Sequence, residues 1–308
     1  MSDSTKNKLP INPDSYAQGR FPSWLHRKLP QGKGMPNTSA ILRKYKLNTV
    51  CEEAKCPNRF ECYSNHTATF LALGKECTRN CGFCDIDFSK TPKMPEEDEP
   101  LRIALSVKEL QLKHVVITMV ARDDLPQGGA PHIAKIIRVI REHNPNVAIE
   151  VLTSDFQEDF AAIDLILKEK PDVFNHNIET VRELSSRVRH KATYERTLSV
   201  LRYAKESKLP THIKSGFMVG LGETQEQVEQ TLRDLHHVGC SVVTIGQYLQ
   251  PNFRKLLVKE FITPERFDAY AEFGRSIGLA QVYAGPFVRS SYHAHEVKKI
   301  ADSALSSQ

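Results

Sequence analysis

Short runs rich in Val, Ile and Thr alternate along the chain with stretches whose apolar residues recur at three- and four-residue intervals. The short runs predict buried β-strands and the longer stretches predict amphipathic helices. The predicted strands cover residues 67–73, 113–119, 147–153, 172–177, 211–219 and 241–248. The helical spacing is clearest in Ile133-Ile136-Ile137-Val139-Ile140, and in Val228-Leu232-Leu235 after the predicted cap Thr224. A last helix is predicted over residues 264–277.

This alternation of strand and helix predicts repeated βαβ crossovers and therefore an α/β protein with a parallel sheet. Six such units are too few for a complete eight-stranded barrel, so a partial barrel and an open doubly wound sheet both remain possible. In either architecture, ligands bind beyond the carboxyl ends of the strands.

The first fifty residues are rich in Pro, Lys and Arg and show no long periodicity. They predict an extended segment that wraps the sheet, with one short helix over residues 37–46 capped by Asn37 or Thr38. Charged residues interrupt every apolar stretch, so we expect no membrane span. The polar N-terminus lacks the apolar core of a secretory signal, and we expect a cytoplasmic protein.

The cysteines are the most informative part of the composition. The chain has 308 residues and a net charge of +5, and six of its seven cysteines lie between Cys51 and Cys84. A disulfide framework is typically spread along a short secreted chain, so this crowding favours metal ligation. Cys240 lies beside an apolar run and is predicted to be a buried small side chain. The mild positive charge fits an acidic protein partner, a nucleic acid or ordinary solubility.

The crowded cysteines form two triplets with different spacings, Cys51-x4-Cys56-x5-Cys62 and Cys77-x3-Cys81-x2-Cys84. Three thiolates can hold three irons of a cubic iron–sulfur cluster and leave the fourth iron open to another ligand. Two triplets therefore suggest two clusters, and the second triplet lies in the loop after the first predicted strand. Zinc is the rival metal, but structural zinc sites favour paired Cys-x2-Cys units, and only Cys81 and Cys84 have that spacing.

The second triplet, in the segment CTRNCGFC at residues 77–84, resembles the signature of the radical S-adenosylmethionine (SAM) enzymes. That resemblance implies a partial (β/α)6 barrel of the radical SAM type with an N-terminal wrapping extension. It also implies that the fourth iron binds SAM, and that one electron breaks a carbon–sulfur bond to give a 5′-deoxyadenosyl radical. A dry strand mouth would shield such a radical from water.

Five further motifs are similar to those of the lipoyl synthase family. They are CEEAKCPNRFEC at residues 51–62, RDDLPQGG at 122–129, FNHNIET at 174–180, SGFMVGLGE at 215–223 and RSSY at 289–292. The resemblance extends from about Trp24 to Tyr292, which is nearly the whole chain. One departure is His66, where the family pattern leads us to expect a glycine.

The resemblance implies two sets of metal ligands. Cys77, Cys81 and Cys84 would bind the SAM cluster. Cys51, Cys56 and Cys62 would bind an auxiliary cluster whose fourth ligand is a serine hydroxyl. Motif position assigns that hydroxyl to Ser291, with Ser290 as the weaker candidate. Because a hydroxyl oxygen is an uncommon ligand for iron, we expect that corner of the cluster to be labile.

The resemblance also implies contacts to SAM. Phe83 and Gly220 are expected to line the adenine. Asn175, Asn177 and Glu179 are expected to bind polar groups of SAM or substrate, although a carboxylate there could equally cap the next helix. Asp123 and Asp124 are expected to hold the methionine amine or its loop, or else to cap the helix that begins near Ala130.

Four charged or titratable residues have weaker assignments. Lys214 and Arg289 could meet a carboxylate or the bound peptide, and the alternative for both is solvation at the surface. His114 and His176 are interpreted as structural, because hydrogen abstraction by a radical needs no general base.

By resemblance, the chain would insert two sulfur atoms at C6 and C8 of an octanoyl group that is amide-linked to a carrier-protein lysine. It would use two SAM molecules per product and take sulfur from the auxiliary cluster. The carrier would be the lipoyl domain of a 2-oxoacid dehydrogenase or the glycine-cleavage H protein, and an electron donor is required. An aliphatic C–H bond offers no handle to acid–base or nucleophilic catalysis, which supports radical chemistry.

Two other functions were weighed against this one. A zinc-stabilised nucleic-acid-binding protein would carry a basic patch with interleaved aromatic residues, whereas Arg and Lys are scattered here, so we expect no nucleic-acid partner. A radical SAM enzyme of another reaction, such as a methylthiotransferase or a biotin-synthase relative, is disfavoured by the serine motif and the first triplet. No interface pattern stands out, and we expect a monomer.

Three parts of the chain are predicted. Residues 1–66 form an extension with the auxiliary triplet, residues 67–285 form the barrel, and residues 286–308 close the auxiliary cluster.

Overall fold

The structure, a computed structural model, describes residues 21–26, 34–64 and 68–291. Predictions that concern other residues, such as His66 and Tyr292, lie outside this part of the chain. The strands are β1 (Thr69–Ala72), β2 (Glu76–Cys77), β3 (Asp87–Phe88), β4 (His114–Met119), β5 (Ala148–Leu152), β6 (Val173–Asn175), β7 (His212–Val219), β8 (Val242–Gln247) and β9 (Gln281–Gly285).

The helices precede the sheet or connect its strands. They are α1 (Gly34–Lys44), α2 (Val50–Glu53), α3 (Arg59–Ser64), α4 (Glu99–Glu109), α5 (Ala130–His143), α6 (Phe160–Lys168), α7 (Ser185–Val188), α8 (Tyr194–Glu206), α9 (Gln225–His237) and α10 (Pro264–Ser276). Local chemistry fixes several starts. The predicted cap Thr224 forms a capping box with Gln227 at the start of α9, and Asp159 accepts backbone hydrogen bonds at the start of α6.

Strand order distinguishes the two architectures that the sequence left open. Seven parallel strands form one sheet in the order β1-β4-β5-β6-β7-β8-β9, so each strand lies next to the one before it in the sheet. A doubly wound sheet requires this order to reverse at one point. Without a reversal, right-handed crossovers place every connecting helix on the same face and leave the other face as an interior. The fold is the predicted partial barrel.

The seventh strand corrects the sequence analysis, which ended the series at the last helix. β9 follows α10 and pairs with β8 through five consecutive residues. Its sequence, QVYAG, has one β-branched residue and ends in Ala and Gly, so it carries little intrinsic strand signal. Backbone pairing with the buried strand β8 therefore stabilises β9, although its own sequence has a low strand propensity.

Helix α1 also differs from the prediction. It begins at Gly34, so neither Asn37 nor Thr38 is its cap. The buried Thr38 hydroxyl instead donates to the carbonyl of Tyr63 in α3, at 2.8 Å. A tertiary hydrogen bond therefore uses the group that sequence reasoning assigned to the helix start. Cys240, by contrast, is buried as predicted.

The segment that carries the first cysteine triplet covers the free edge of β1. Thr49 makes an antiparallel bridge to Phe70, and Leu71 donates its backbone N–H to the carbonyl of Asn48 at 2.9 Å. Helix α2, which contains Cys51, starts at Val50, directly after Thr49. The first triplet therefore lies beside the strand that leads into the second triplet.

No helix in residues 21–26, 34–64 or 68–291 has the length and apolar character needed to cross a bilayer.

Candidate active site and cluster cavity

A cavity of about 540 Å³ opens at the carboxyl ends of the parallel strands. Its walls include Met119 at the end of β4, Leu152 at the end of β5 and Gln247 at the end of β8. All six crowded cysteines line it, together with two serines of the C-terminal motif: Cys51, Cys56, Cys62, Cys77, Cys81, Cys84, Ser290 and Ser291. All of these cysteines are free thiols. Residues separated by more than 200 positions thus face one space.

The loop of the second triplet is fixed by backbone hydrogen bonds from three separate segments. Thr78 N–H donates to the Ala121 carbonyl at 2.9 Å, beyond β4. Gly82 N–H donates to the Val188 carbonyl at 2.9 Å, and the Gly82 carbonyl accepts from Leu256 N–H at 3.0 Å. The short strands β2 and β3 pair in parallel across the base of the loop. The loop is therefore part of the barrel framework.

The first triplet meets the C-terminal serine motif at Thr69. The hydroxyl of Thr69 donates to the hydroxyl of Ser291 at 2.8 Å, and the Thr69 backbone limits the rise in the pKa of the Cys51 thiol. Ser290 has a different neighbour, because its hydroxyl accepts from the amide of Asn177 at 2.6 Å. The two serines therefore face different parts of the cavity, and Ser291 is the one that lies next to the first triplet.

Burial strongly affects the thiols. Burial raises the pKa of Cys51 and of Cys84 to about 12 each, and that of Cys81 to about 11, although Arg189 opposes the shift at Cys81. These side chains are neutral near pH 7 unless a bound cation stabilises the thiolate. Six soft sulfur donors in one largely apolar cavity fit iron–sulfur clusters.

Within the described residues, no three Cys, His, Asp or Glu side chains converge on one metal ion. Each thiolate of a four-iron cube binds a different iron. The three thiols of a cluster site therefore need to line the same cavity, but they need not converge on a single metal ion.

Three of the predicted SAM-contacting residues line the cavity, namely Phe83, Asn177 and Glu179. The backbone of Glu179 forms a parallel β-bridge with Phe217 of β7. Burial raises the pKa of the Glu179 carboxyl. The Asn177 amide also donates to Glu179 at 3.1 Å. Asn177 Oδ1 and Thr153 Oγ1 are buried at this wall and have no hydrogen-bond partner within the described part of the chain. Such orphaned acceptors suit a polar ligand.

The other predicted contacts do not line the cavity. Asp123 pairs with Arg79, and Asp124 with Arg122, at 2.7 and 2.8 Å. Neither carboxylate caps α5, whose cap is Gly129. Their assignment to the SAM amine stays a prediction that these ion pairs do not support.

Asn175 and Gly220 lie outside the cavity as well. The Asn175 amide donates to Glu150 at 2.8 Å within the sheet. Gly220 has φ = +95°, and a Cβ there would collide with the amide of Gln247 and the carbonyl of Glu260. Glycine at position 220 is therefore required by a close backbone approach. Whether either residue reaches SAM stays a prediction.

A buried ionic cluster accounts for Lys214 and His114. Lys214 Nζ lies 2.9 Å from Oε1 of Glu150, and both side chains are fully buried. Burial alone would raise the Glu150 pKa, but Lys214 and His114 hold it at about 2. The lysine therefore meets a carboxylate of its own chain. His176 is also buried, and burial lowers its pKa to about 4, so it is neutral near pH 7.

Sequence reasoning missed three charged residues that line the cavity, namely Arg79, Asp155 and Arg189. The Arg189 guanidinium donates to the carbonyl of Asn177. Arg79 lies within the cysteine motif, but the motif gave no reason to expect its side chain to be buried. Asp155 follows β5, and its position at a strand end was the available signal.

Profiles of known families match most of the chain. The radical SAM superfamily profile matches residues 71–235, and the profile of the N-terminal domain of lipoyl synthase matches residues 2–56. Lipoyl synthase from Protochlamydia amoebophila is 59% identical over 298 residues, which cover 94% of this chain and 92% of that protein. Lipoyl synthase from Chlamydia muridarum is 50% identical, with 96% and 95% covered.

Solved structures with low sequence identity share the fold. Methylornithine synthase superposes with a TM-score of 0.53 at 14% identity, covering 67% of this chain and 61% of that chain. SuiB from Streptococcus suis, in a crystal structure with S-adenosylmethionine, gives a TM-score of 0.53 at 11% identity, covering 79% and 51%. The partial barrel is therefore one that other radical SAM proteins adopt.

Proposed function

Because this chain belongs to the lipoyl synthase family of the radical SAM superfamily, we propose that its cavity joins two sulfur atoms to an octanoyl chain on a carrier protein. Sulfur enters at C6 and C8 of a protein-bound N6-octanoyl-lysine and gives lipoyl-lysine. The observation that carries the proposal is that six free thiols and two serine hydroxyls face one cavity at the strand ends. The family's cofactors are SAM and two 4Fe–4S clusters.

The chain's own residues have three tasks, which are to hold the cofactors, to keep water out and to bring the alkyl chain to them. When bound, SAM and the two clusters supply the hydrogen-abstracting radical and the sulfur. Apolar residues such as Leu71, Val120 and Phe217 line the cavity and suit an octanoyl chain. Reacting atoms held within one enclosed space need no further diffusion between steps.

The ligands of the SAM cluster are Cys77, Cys81 and Cys84, and those of the auxiliary cluster are Cys51, Cys56, Cys62 and Ser291. Thr69 supports Ser291 over Ser290, because its hydroxyl donates to Ser291 and its backbone limits the rise in the pKa of the Cys51 thiol. Ser290 instead joins the Asn177 side of the cavity.

SAM and substrate polar groups contact Phe83, Asn177 and Glu179. The orphaned Asn177 Oδ1 supports that role, since it is an acceptor without a donor at the cavity wall. The assignment of Asp123, Asp124, Asn175 and Gly220 to SAM stays a prediction, and their ion pairs, hydrogen bonds and close packing support a role behind the cavity wall.

The protein substrate is the octanoylated lipoyl domain of a 2-oxoacid dehydrogenase or the glycine-cleavage H protein, and a separate protein donates electrons. The chain acts as a monomer in the cytoplasm, where free thiols persist. Residues 1–66 form the extension with the auxiliary triplet, 67–285 the barrel and 286–308 the closing segment.

Anaerobic mass spectrometry tests the function directly. An octanoyl-lysine peptide from a lipoyl domain is incubated with the reconstituted protein, SAM and a chemical reductant. We expect the peptide to gain two sulfur atoms while two 5′-deoxyadenosine molecules form per product. Formation of 5′-deoxyadenosine with no sulfur gained by the peptide would contradict the assignment. A Cys77→Ala variant controls for sulfur added without the enzyme.

A further inference from the structure

Arg79 lies in the loop between Cys77 and Cys81, yet only 6% of its side chain is exposed. Its Nε and Nη2 donate to Asp123 at 2.9 and 2.7 Å, and Nη2 also donates to Asp155 at 2.6 Å. A guanidinium that serves two carboxylates at once fixes both its own position and theirs.

The two carboxylates come from the ends of neighbouring strands. Asp123 follows β4, and its N–H donates to the hydroxyl of Thr78 at 3.0 Å. Asp155 follows β5, is fully buried and accepts from the N–H of Gln157 at 3.0 Å. Arg79 therefore ties the cysteine loop to the carboxyl ends of β4 and β5.

Left-handed backbone segments follow both carboxylates in the chain. Beyond Asp123, residues 127–129 have φ of 50°, 59° and 84°, and beyond Asp155, residues 156–158 have φ of 45°, 55° and 63°. A Cβ on Gly128 would lie 2.9 Å from Cδ1 of Phe156, so the two left-handed turns pack tightly on each other. Glycine adopts such angles readily at positions 128 and 129, but Gln127 and the non-glycine residues 156–158 seldom would, and strain of that kind concentrates at functional sites.

We propose that Arg79 is a positioning residue that holds the Cys77–Cys84 loop ready to receive the SAM cluster and contributes to the charge around it. The inference rests on the proposed assignment of these three cysteines as ligands. The Arg79 N–H also donates to the Cys77 thiol at 3.4 Å, so the same residue contacts a ligand directly. Arg196 also contacts Asp155, with Nη1 3.4 Å from Oδ2, so two guanidiniums face the two carboxylates, and charge near a cluster sets its reduction potential.

The test uses the full chain with Cys51, Cys56 and Cys62 replaced by alanine, so that only the second triplet can be loaded. Arg79→Gln, Arg79→Lys and Asp155→Asn are made in this parent. The matched control is Arg141→Lys, because Arg141 pairs with Asp172 at 3.1 Å at the opposite ends of the strands. Each protein is reconstituted with iron and sulfide, and its iron content, its midpoint potential by electron paramagnetic resonance and its thermal unfolding are measured.

Arg79→Gln should retain clearly less iron than the parent, because residues that orient metal ligands typically contribute about tenfold or more to metal affinity. Arg79→Lys should be intermediate, since one ammonium cannot reproduce the forked contact. Asp155→Asn should hold a cluster whose potential is more positive, because one negative charge is removed. The control should match the parent in iron content and potential.

A folded Arg79→Gln protein with the parent's iron content and midpoint potential would overturn this inference and leave the proposed function standing. If that variant does not fold, Asp155→Asn decides the question, and an unchanged iron content and potential there would overturn it equally. A parent that binds no cluster would overturn the ligand assignment in the proposed function, and this inference with it.

Discussion

The two cysteine triplets face one cavity but are held by different parts of the molecule. The second triplet lies in a loop that is hydrogen-bonded to segments beyond β4 and α7 and is clamped by Arg79. The first lies on short helices at the edge of β1, where Thr69–Ser291 and Asn58–Phe287 hydrogen bonds join it to the C-terminal segment. The second triplet is part of the barrel framework. The first triplet lies at the edge of the barrel, where two distant segments of the chain meet.

This difference matches the tasks that we propose for the two clusters. A centre that generates radicals must keep its geometry through every cycle. A centre that gives up sulfur must be opened and rebuilt, and an edge position lets that happen without disturbing the parallel sheet. An ion pair between Lys55 and Asp85, at 2.6 Å, links the two cysteine segments directly.

The largest expected effect separates the triplets by activity. Cys81→Ala should abolish both 5′-deoxyadenosine formation and sulfur insertion, because SAM would lose its cluster. Cys56→Ala, matched in chemistry and similar in exposure, should retain 5′-deoxyadenosine formation and lose only the lipoyl product. Mass spectrometry quantifies both products, and equal loss of both in the two variants would break the comparison.

Next in size is the pair of serines. Ser291→Ala should lower lipoyl product about 10- to 100-fold while leaving 5′-deoxyadenosine nearly unchanged, as expected for loss of an auxiliary ligand. Ser290→Ala is the matched control. It removes the contact with Asn177, so any loss should be smaller and should affect both products together. The reverse ranking would assign the ligand to Ser290.

Asn58 tests how firmly the C-terminal segment is docked. Its buried amide donates to the Phe287 carbonyl at 2.7 Å. Asn58→Ala should lower the free energy of unfolding by about 1–3 kcal/mol and reduce lipoyl product more than SAM cleavage. Asn144→Ala removes a similar bond to Ala104, at 3.0 Å, in a position away from the cavity. Urea unfolding should show a lower free energy of unfolding in both variants. A loss of lipoyl product that exceeds the loss of SAM cleavage in Asn144→Ala would contradict the prediction.

The smallest effect is a dependence on acid pH on the second-triplet side. Burial would raise the pKa of Asp155, but its hydrogen bond and charge interaction with Arg79 lower it to about 2, from an ordinary 3.8. Below pH 4 the unfolded chain binds this proton before the folded chain does. Stabilisation of about 2 kcal/mol is therefore present above pH 4 and is lost as the pH falls towards 2.

Urea unfolding of the metal-free chain from pH 6 to pH 2 measures that loss. The difference between the parent and Asp155→Asn should shrink by about 2 kcal/mol over this range. A constant difference would show that the Asp155 carboxylate is not held by Arg79.

Most of the fold was predictable because its signals are local. Apolar periodicity located six of the seven main strands, and caps such as Thr224 and the start at Ala130 were correct. The weak strand β9 and the start of α1 were missed, because pairing with β8 and the Thr38–Tyr63 hydrogen bond decide them. The ion pair of Asp123 is equally nonlocal, since its partner Arg79 lies 44 residues earlier in the chain, whereas Asp124 pairs with its near neighbour Arg122.

Neighbouring residues specify the alternation of strand and helix, the two cysteine triplets and the family, because periodicity and motif spacing are local properties of the chain. Three further features could be learned only from the folded chain: the strand order never reverses, both triplets and both serines share a cavity, and Arg79 is buried between Asp123 and Asp155. Those features depend on contacts between residues far apart in the chain, which form only when the sheet brings its strand ends together.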